Sequence, residues 1–89
     1  MINMKKEFVI ANDQGLHARP ATTLVSKANQ FKSTITIFYE GETADLKSIM
    51  GVLALGVTRG ALVEIEIDGE DASQAMEAIS DHIKAMNVN

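Results

Sequence analysis

Cysteine is missing from this sequence altogether, which excludes a disulfide staple and a thiolate metal site and fits a reducing compartment. Basic residues are few, eight against twelve acidic ones, for a formal charge of −4. The broad cationic face of a nucleic-acid binder is therefore not expected. No run approaches the ~18 apolar residues of a membrane span, and Met1 to Lys6 lacks the apolar stretch of a signal peptide. A soluble, cytoplasmic protein follows as the expectation. Low-complexity tracts, repeats and linkers are also missing, and 89 residues suit one core but not two. We expect a single domain over residues 1–89. His82 has no Cys or His at ligand spacing; no metal is demanded within the chain, and no cofactor is expected.

Proline occurs once, at Pro20, and it marks the most informative stretch, Gly15-Leu16-His17-Ala18-Arg19-Pro20-Ala21. Gly15 permits a tight or left-handed apex, and Pro20 in a first helical turn gives up an N–H that has no intrahelical partner anyway. The stretch reads as a turn from strand to helix. With His17 as the cap residue, the N–H groups of Ala18 and Arg19 point past its imidazole. A helix N-terminus favours anions and an uncharged, nucleophilic ring. Arg19 adds a fork of charged donors suited to phosphate oxygens. These residues suit a histidine that accepts and passes on a phosphoryl group. On the turn alone, however, a capping histidine without chemistry is the commoner case.

The rest of the chain alternates between two periods. Glu7 to Ala11 reads as a strand with Phe8 and Ile10 on one face, and Asn12, Asp13 and Gln14 as the polar approach to the turn. Ala21, Leu24, Val25 and Ala28 then recur at helical spacing. Thr34 to Tyr39 alternates, with Ile35, Ile37 and Tyr39 on one side, and Glu40-Gly41 turns it into a brief strand over Glu42 to Asp45. Ser48 is a good cap for a short helix that Gly56 closes. On that helix Val52 belongs inside, while Ile49, Met50 and Leu53 either join the core or form an exposed apolar patch. Thr58-Arg59-Gly60 is a turn, and Leu62 to Asp68 a strand with Val63, Ile65 and Ile67 inward. Asp71 and Gln74 suit a reciprocal cap for a last helix whose apolar face is Ala72, Ala75, Met76, Ile79, Ile83 and Met86. His82, off that stripe, reads as a surface residue. Strands apolar on one side call for helices on one face, an α/β two-layer open-faced sandwich with an antiparallel sheet.

The run Gly15 to Ala21 resembles the phosphorylation signature of HPr, the histidine-containing phosphocarrier family of the bacterial phosphoenolpyruvate-dependent sugar phosphotransferase system. A second run, Leu46-Lys47-Ser48-Ile49-Met50-Gly51, is similar to that family's regulatory serine segment and favours its sugar-linked branch, of Gram-positive type, over a nitrogen-linked one. The likeness covers nearly the whole chain. It implies the strand order 1-4-2-3 with three helices on one face, where pattern alone leaves alternatives. It also implies that His17 becomes a phosphohistidine at Nδ1, with Ala18 and Arg19 holding the phosphate. Enzyme I would be the donor and sugar-specific IIA components the acceptors, so that the chain is a covalent carrier rather than a stand-alone enzyme. Ser48 would be the target of an HPr serine kinase/phosphorylase, and Ile49, Met50 and Leu53 would dock partners. The alternative reading is a regulatory module whose Ser48-phosphorylated form acts as corepressor with a catabolite control protein; the presence of His17 argues against a purely regulatory role. The stretch Val52-Leu53-Ala54-Leu55 departs from the family's methionine-containing pattern without touching the phosphate site.

Overall fold

The computed structural model describes residues 2–88, so the two end residues of the expected 1–89 domain lie outside it. In chain order the elements are β1 (Ile2–Ile10), α1 (Ala18–Ala28), β2 (Thr34–Tyr39), β3 (Glu42–Asp45), α2 (Ile49–Leu55), β4 (Ala61–Gly69) and α3 (Ala72–Asn87). The four strands form one sheet in the order β1-β4-β2-β3, with every neighbouring pair antiparallel. β4 therefore fills the gap between β1 and β2, the split arrangement that the resemblance implies.

One face of the sheet is buried and the other is open. Phe8 and Ile10 of β1, Ile35 and Ile37 of β2, and Val63, Ile65 and Ile67 of β4 pack against Leu24 of α1, Val52 of α2 and Ile79 and Ile83 of α3 in a continuous core. Burying each such aliphatic side chain contributes roughly 1.5–3 kcal/mol. On the opposite face the cross-strand neighbours Val9 and Leu62 stand exposed.

Two local expectations are corrected. β1 begins at Ile2 rather than Glu7, because β4 is nine residues long and pairs with it from Ile2↔Gly69 to Ile10↔Ala61. A long partner carries a strand through polar residues that alternation alone does not assign. The charge of Lys6, on β1's core side, sits 5.5 Å from the centre of the Phe8 ring, a cation–π contact. The second correction is at α3, where Asp71 is the N-cap residue but its side chain makes no capping bond. Its carboxylate instead accepts hydrogen bonds from the N–H groups of Lys32 and Ser33 and from the Ser33 hydroxyl. That carboxylate ties the turn after α1 to the start of α3. These bonds, led by the Ser33 hydroxyl, hold Asp71 below the ordinary carboxylate range.

Candidate functional site

Residues 10 to 17 carry the chain from β1 to α1, and hydrogen bonds hold this loop at Ile10, Asn12, Gly15 and Leu16. On the sheet side, the N–H of Gly60 donates to the Ile10 carbonyl and that of Leu16 to the Val57 carbonyl at 3.0 Å. Within the turn, the Gly15 N–H donates to the Asn12 carbonyl, and the Asn12 side-chain Nδ2 donates back to the Gly15 carbonyl at 2.9 Å. Asn12 is buried, and its Oδ1 has no hydrogen-bond partner among the described residues. Gly15 has a left-handed backbone, φ +58°, and a side chain there would meet the Val57 carbonyl oxygen at 2.5 Å. Leu16, wholly buried, anchors the loop in the core. The next residue is held outward as a consequence.

That residue is His17, exposed and with extended backbone angles (φ −109°, ψ 152°) as the N-cap of α1. Its ring makes no capping bond, so both ring nitrogens are left for other chemistry. The N–H groups of Ala18 and Arg19, in the first turn, have no intrahelical acceptor. Ala18 has φ +46°, a left-handed conformation that costs an alanine roughly 1–2 kcal/mol. The expected start of the helix stands, but its first residue is not right-handed. The fixed loop before it and the helix after it hold this strained link in place. Thr22 and Thr23 donate their hydroxyls back to the Ala18 and Pro20 carbonyls, which stiffens the same turn.

An open cleft of about 680 Å³ lies beside the helix mouth, lined by Asn12, Asp13, Gln14, Arg19, Thr23 and Met86 among others. Arg19 is exposed and makes no side-chain hydrogen bond or ion pair among the described residues. The negative charge of Asp13 on this rim is met by Arg59, 3.3 Å away and equally open to solvent. Such an exposed pair contributes little stability, about 0–1 kcal/mol.

Ser48 opens a second helix, α2, whose start lies away from His17 and whose end returns toward the His17 loop. The Ser48 hydroxyl caps α2 by accepting from the Gly51 N–H at 3.1 Å. Asn29, just past the end of α1, donates to the Lys47 carbonyl, while the other end of α2 leads through Gly56 to Val57 beside Leu16. α1 and α2 thus run in opposite directions. Ser48 lies near the far end of α1, about 16 Å along an eleven-residue helix from His17. Met50 is 78% exposed and Leu53 38%, whereas Ile49 is half-buried against the core and Val52 fully buried. The three candidate docking residues do not form one exposed set, because Ile49 turns partly inward.

Sequence reasoning passed over several residues that the structure brings to the site. Asn12 carries a faint signal, an asparagine three residues before a turn glycine. Val57, Arg59, Thr23, Met86 and Asn87 carry none, since only the packing of distant segments brings them there. His82 is also more than a surface residue. Its Nε2 lies 3.2 Å from the Thr23 hydroxyl oxygen, and with that hydroxyl donating to the Pro20 carbonyl the Nε2–H tautomer completes the pair as donor. Burial, and secondarily Lys27, lowers its pKa below the usual histidine value.

Fold and site together define a class: a small open-faced sandwich that offers one histidine at a helix mouth, beside a shallow polar cleft rather than inside an enclosed pocket. The model of a known family, the HPr component phosphorylation site of the phosphotransferase system, matches residues 4–85. Among solved structures, an HPr from Thermoanaerobacter tengcongensis is 35% identical, covers 97% of each chain and superposes with a TM-score of 0.92. The histidine-containing phosphocarrier protein of a Mycoplasma is 39% identical over 94% of this chain and 96% of that one, with a TM-score of 0.90. HPr from Bacillus anthracis is 36% identical over 90% and 95%, with a TM-score of 0.86. The chain belongs to the HPr family, the phosphocarrier proteins of the phosphotransferase system.

Proposed function

We propose that His17 is the phosphoryl-carrying residue of this phosphocarrier, taking the group from a phosphohistidine of enzyme I and delivering it to sugar-specific IIA components in the cytoplasm. The single observation that carries the reading is an exposed imidazole, free of any capping bond, at the N-terminus of α1. In the loading transfer a lone pair on the His17 ring, at Nδ1 as in the family, attacks phosphorus, and in delivery the acceptor histidine attacks while the His17 ring is the leaving group. One N–P bond forms as the donor's N–P bond breaks, and the donor imidazole keeps the released electron pair. Little covalent chemistry is needed beyond in-line placement and stabilisation of the oxygens. The N–H groups of Ala18 and Arg19, with the Arg19 guanidinium, supply that stabilisation. An exposed site with few parts suffices because the partner protein brings the rest.

Ser48 is the second modification site in this reading, the target of an HPr serine kinase/phosphorylase. A phosphate there sits at the start of α2, where negative charge is tolerated. It also lies beyond a Debye length of ~8–10 Å from His17. It therefore acts on partner docking along α2, around Met50 and Leu53 with the half-buried Ile49, rather than by repelling phosphate at His17. Binding of the Ser48-phosphorylated form to a catabolite control protein would use the same face.

Incubation with enzyme I and phosphoenolpyruvate tests the reading. An acid-labile, alkali-stable phosphate should appear on the wild-type chain and vanish in His17→Ala. A wild-type chain that takes no label, or a label that survives His17→Ala, overturns it.

A further inference from the structure

The last turn of α3 reaches back to the root of the His17 loop. The side-chain Nδ2 of Asn87 donates to the Val9 carbonyl at 2.8 Å, and its Oδ1 accepts from the Ala11 N–H, also at 2.8 Å. β1 is an edge strand, so along this outer edge Val9 and Ala11 face no neighbouring strand. One planar carboxamide carries a donor and an acceptor at the spacing that a paired strand would present to residues i and i+2. Asn87 thus closes the ladder for one step, immediately before the loop leaves the sheet. Ile10, between the two, is held from the opposite side by the Gly60 N–H. The buried Asn12 follows directly, with its two bonds to Gly15.

We infer that Asn87 is a positioning residue for phosphoryl transfer: its clip on Val9 and Ala11 sets the point from which the loop projects His17 at the mouth of α1. The inference rests on His17 being the phosphoryl carrier. Among the described residues Asn87 bonds to Val9 and Ala11 rather than to the ring, and it lies on a different helix from Met50 and Leu53. Its removal therefore affects the transfer step after docking, not the docking itself. Aspartate has nearly the same shape but no donor, and it sets a negative charge against the Val9 carbonyl. Glutamine keeps both groups on a stem one methylene longer.

The test compares the full-length wild-type chain with Asn87→Ala, Asn87→Asp and Asn87→Gln as substrates of enzyme I and phosphoenolpyruvate, with thermal unfolding recorded for each. At a temperature where all four are folded, kcat for labelling of His17 should fall about three- to tenfold in Asn87→Ala and Asn87→Asp. KM should stay within twofold of wild type, and Asn87→Gln should recover at least half of the lost kcat. Unchanged kcat in Asn87→Ala overturns the inference. So does a loss in which KM rises as much as kcat falls and glutamine restores nothing, since that marks a merely structural clip. A second arm uses phosphoramidate, which phosphorylates imidazoles without a protein donor, and reads the rate of His17 labelling. A wild-type chain that enzyme I does not label sinks the carrier reading alone, and the clip is then judged by whether Asn87→Ala slows this chemical labelling severalfold or leaves it unchanged.

Discussion

Replacing Gly15 by alanine is the sharpest perturbation of the loop. The new methyl carbon would sit 2.5 Å from the Val57 carbonyl oxygen and 2.9 Å from the Thr58 Cα, both backbone atoms, on a residue with φ +58°. The left-handed conformation alone costs alanine about 1–2 kcal/mol. Relieving the collision means moving the 57–58 segment away, which loses the hydrogen bond from Leu16 to Val57 at a further ~0.5–1.5 kcal/mol. The sum, about 1.5–3.5 kcal/mol, corresponds to a fall in Tm of roughly 6–28 °C for a domain of this size. Gly60→Ala is the matched control, since Gly60 also has positive φ, +86°, but nothing within 4 Å of an added Cβ. It should lose only the conformational part, about 1–2 kcal/mol or roughly 4–16 °C. Thermal unfolding of both variants by circular dichroism measures the difference, and labelling of His17 by enzyme I at 20 °C should slow severalfold in Gly15→Ala. Equal losses of Tm in the two variants would refute the claim that close approach of the loop to residues 57–58 fixes its shape.

Ser48→Ala should lower stability by about 0.5–2 kcal/mol through loss of the α2 cap, whereas Ser48→Asp retains an acceptor for the Gly51 N–H and should unfold within a few degrees of wild type. Transfer from enzyme I should nevertheless weaken in Ser48→Asp, chiefly through KM, and unchanged kinetics would count against docking along α2. Because Asp71 has a folded pKa below its ordinary 3.8, its contribution is present above that value and is lost as acidification carries it through the folded one. A plot of Tm against pH in the acid range should therefore be less steep for Asp71→Asn than for wild type; parallel plots would contradict the bonds to Ser33 and Lys32. The folded pKa of His82 is also lowered, by burial and by Lys27, but here the neutral form is the one favoured by folding. Stability should fall as pH drops below the unfolded value of 6.5, and His82→Gln, which keeps a donor for Thr23, should flatten that part of the curve.

Much of the fold was legible from local chemistry. The alternation in Thr34 to Tyr39 and Leu62 to Asp68, the helical stripe from Ala21 to Ala28, and the caps Ser48 and Gly56 all reflect interactions within a few residues of each other. The same is true of the Gly15–Pro20 turn, whose own glycine and proline dictate where strand ends and helix begins, and so where His17 stands. Tertiary structure decided whatever depends on partners far along the chain. The first half of β1 exists because β4 is long enough to pair with it, and Asp71 left its own helix because Lys32 and Ser33 offered it three donors. The left-handed Ala18, the burial of half of Ile49 and the clip from Asn87 have the same origin. A sequence records each residue's propensities and period, but a hydrogen bond spanning 76 or 78 positions exists only once the core has brought its ends together.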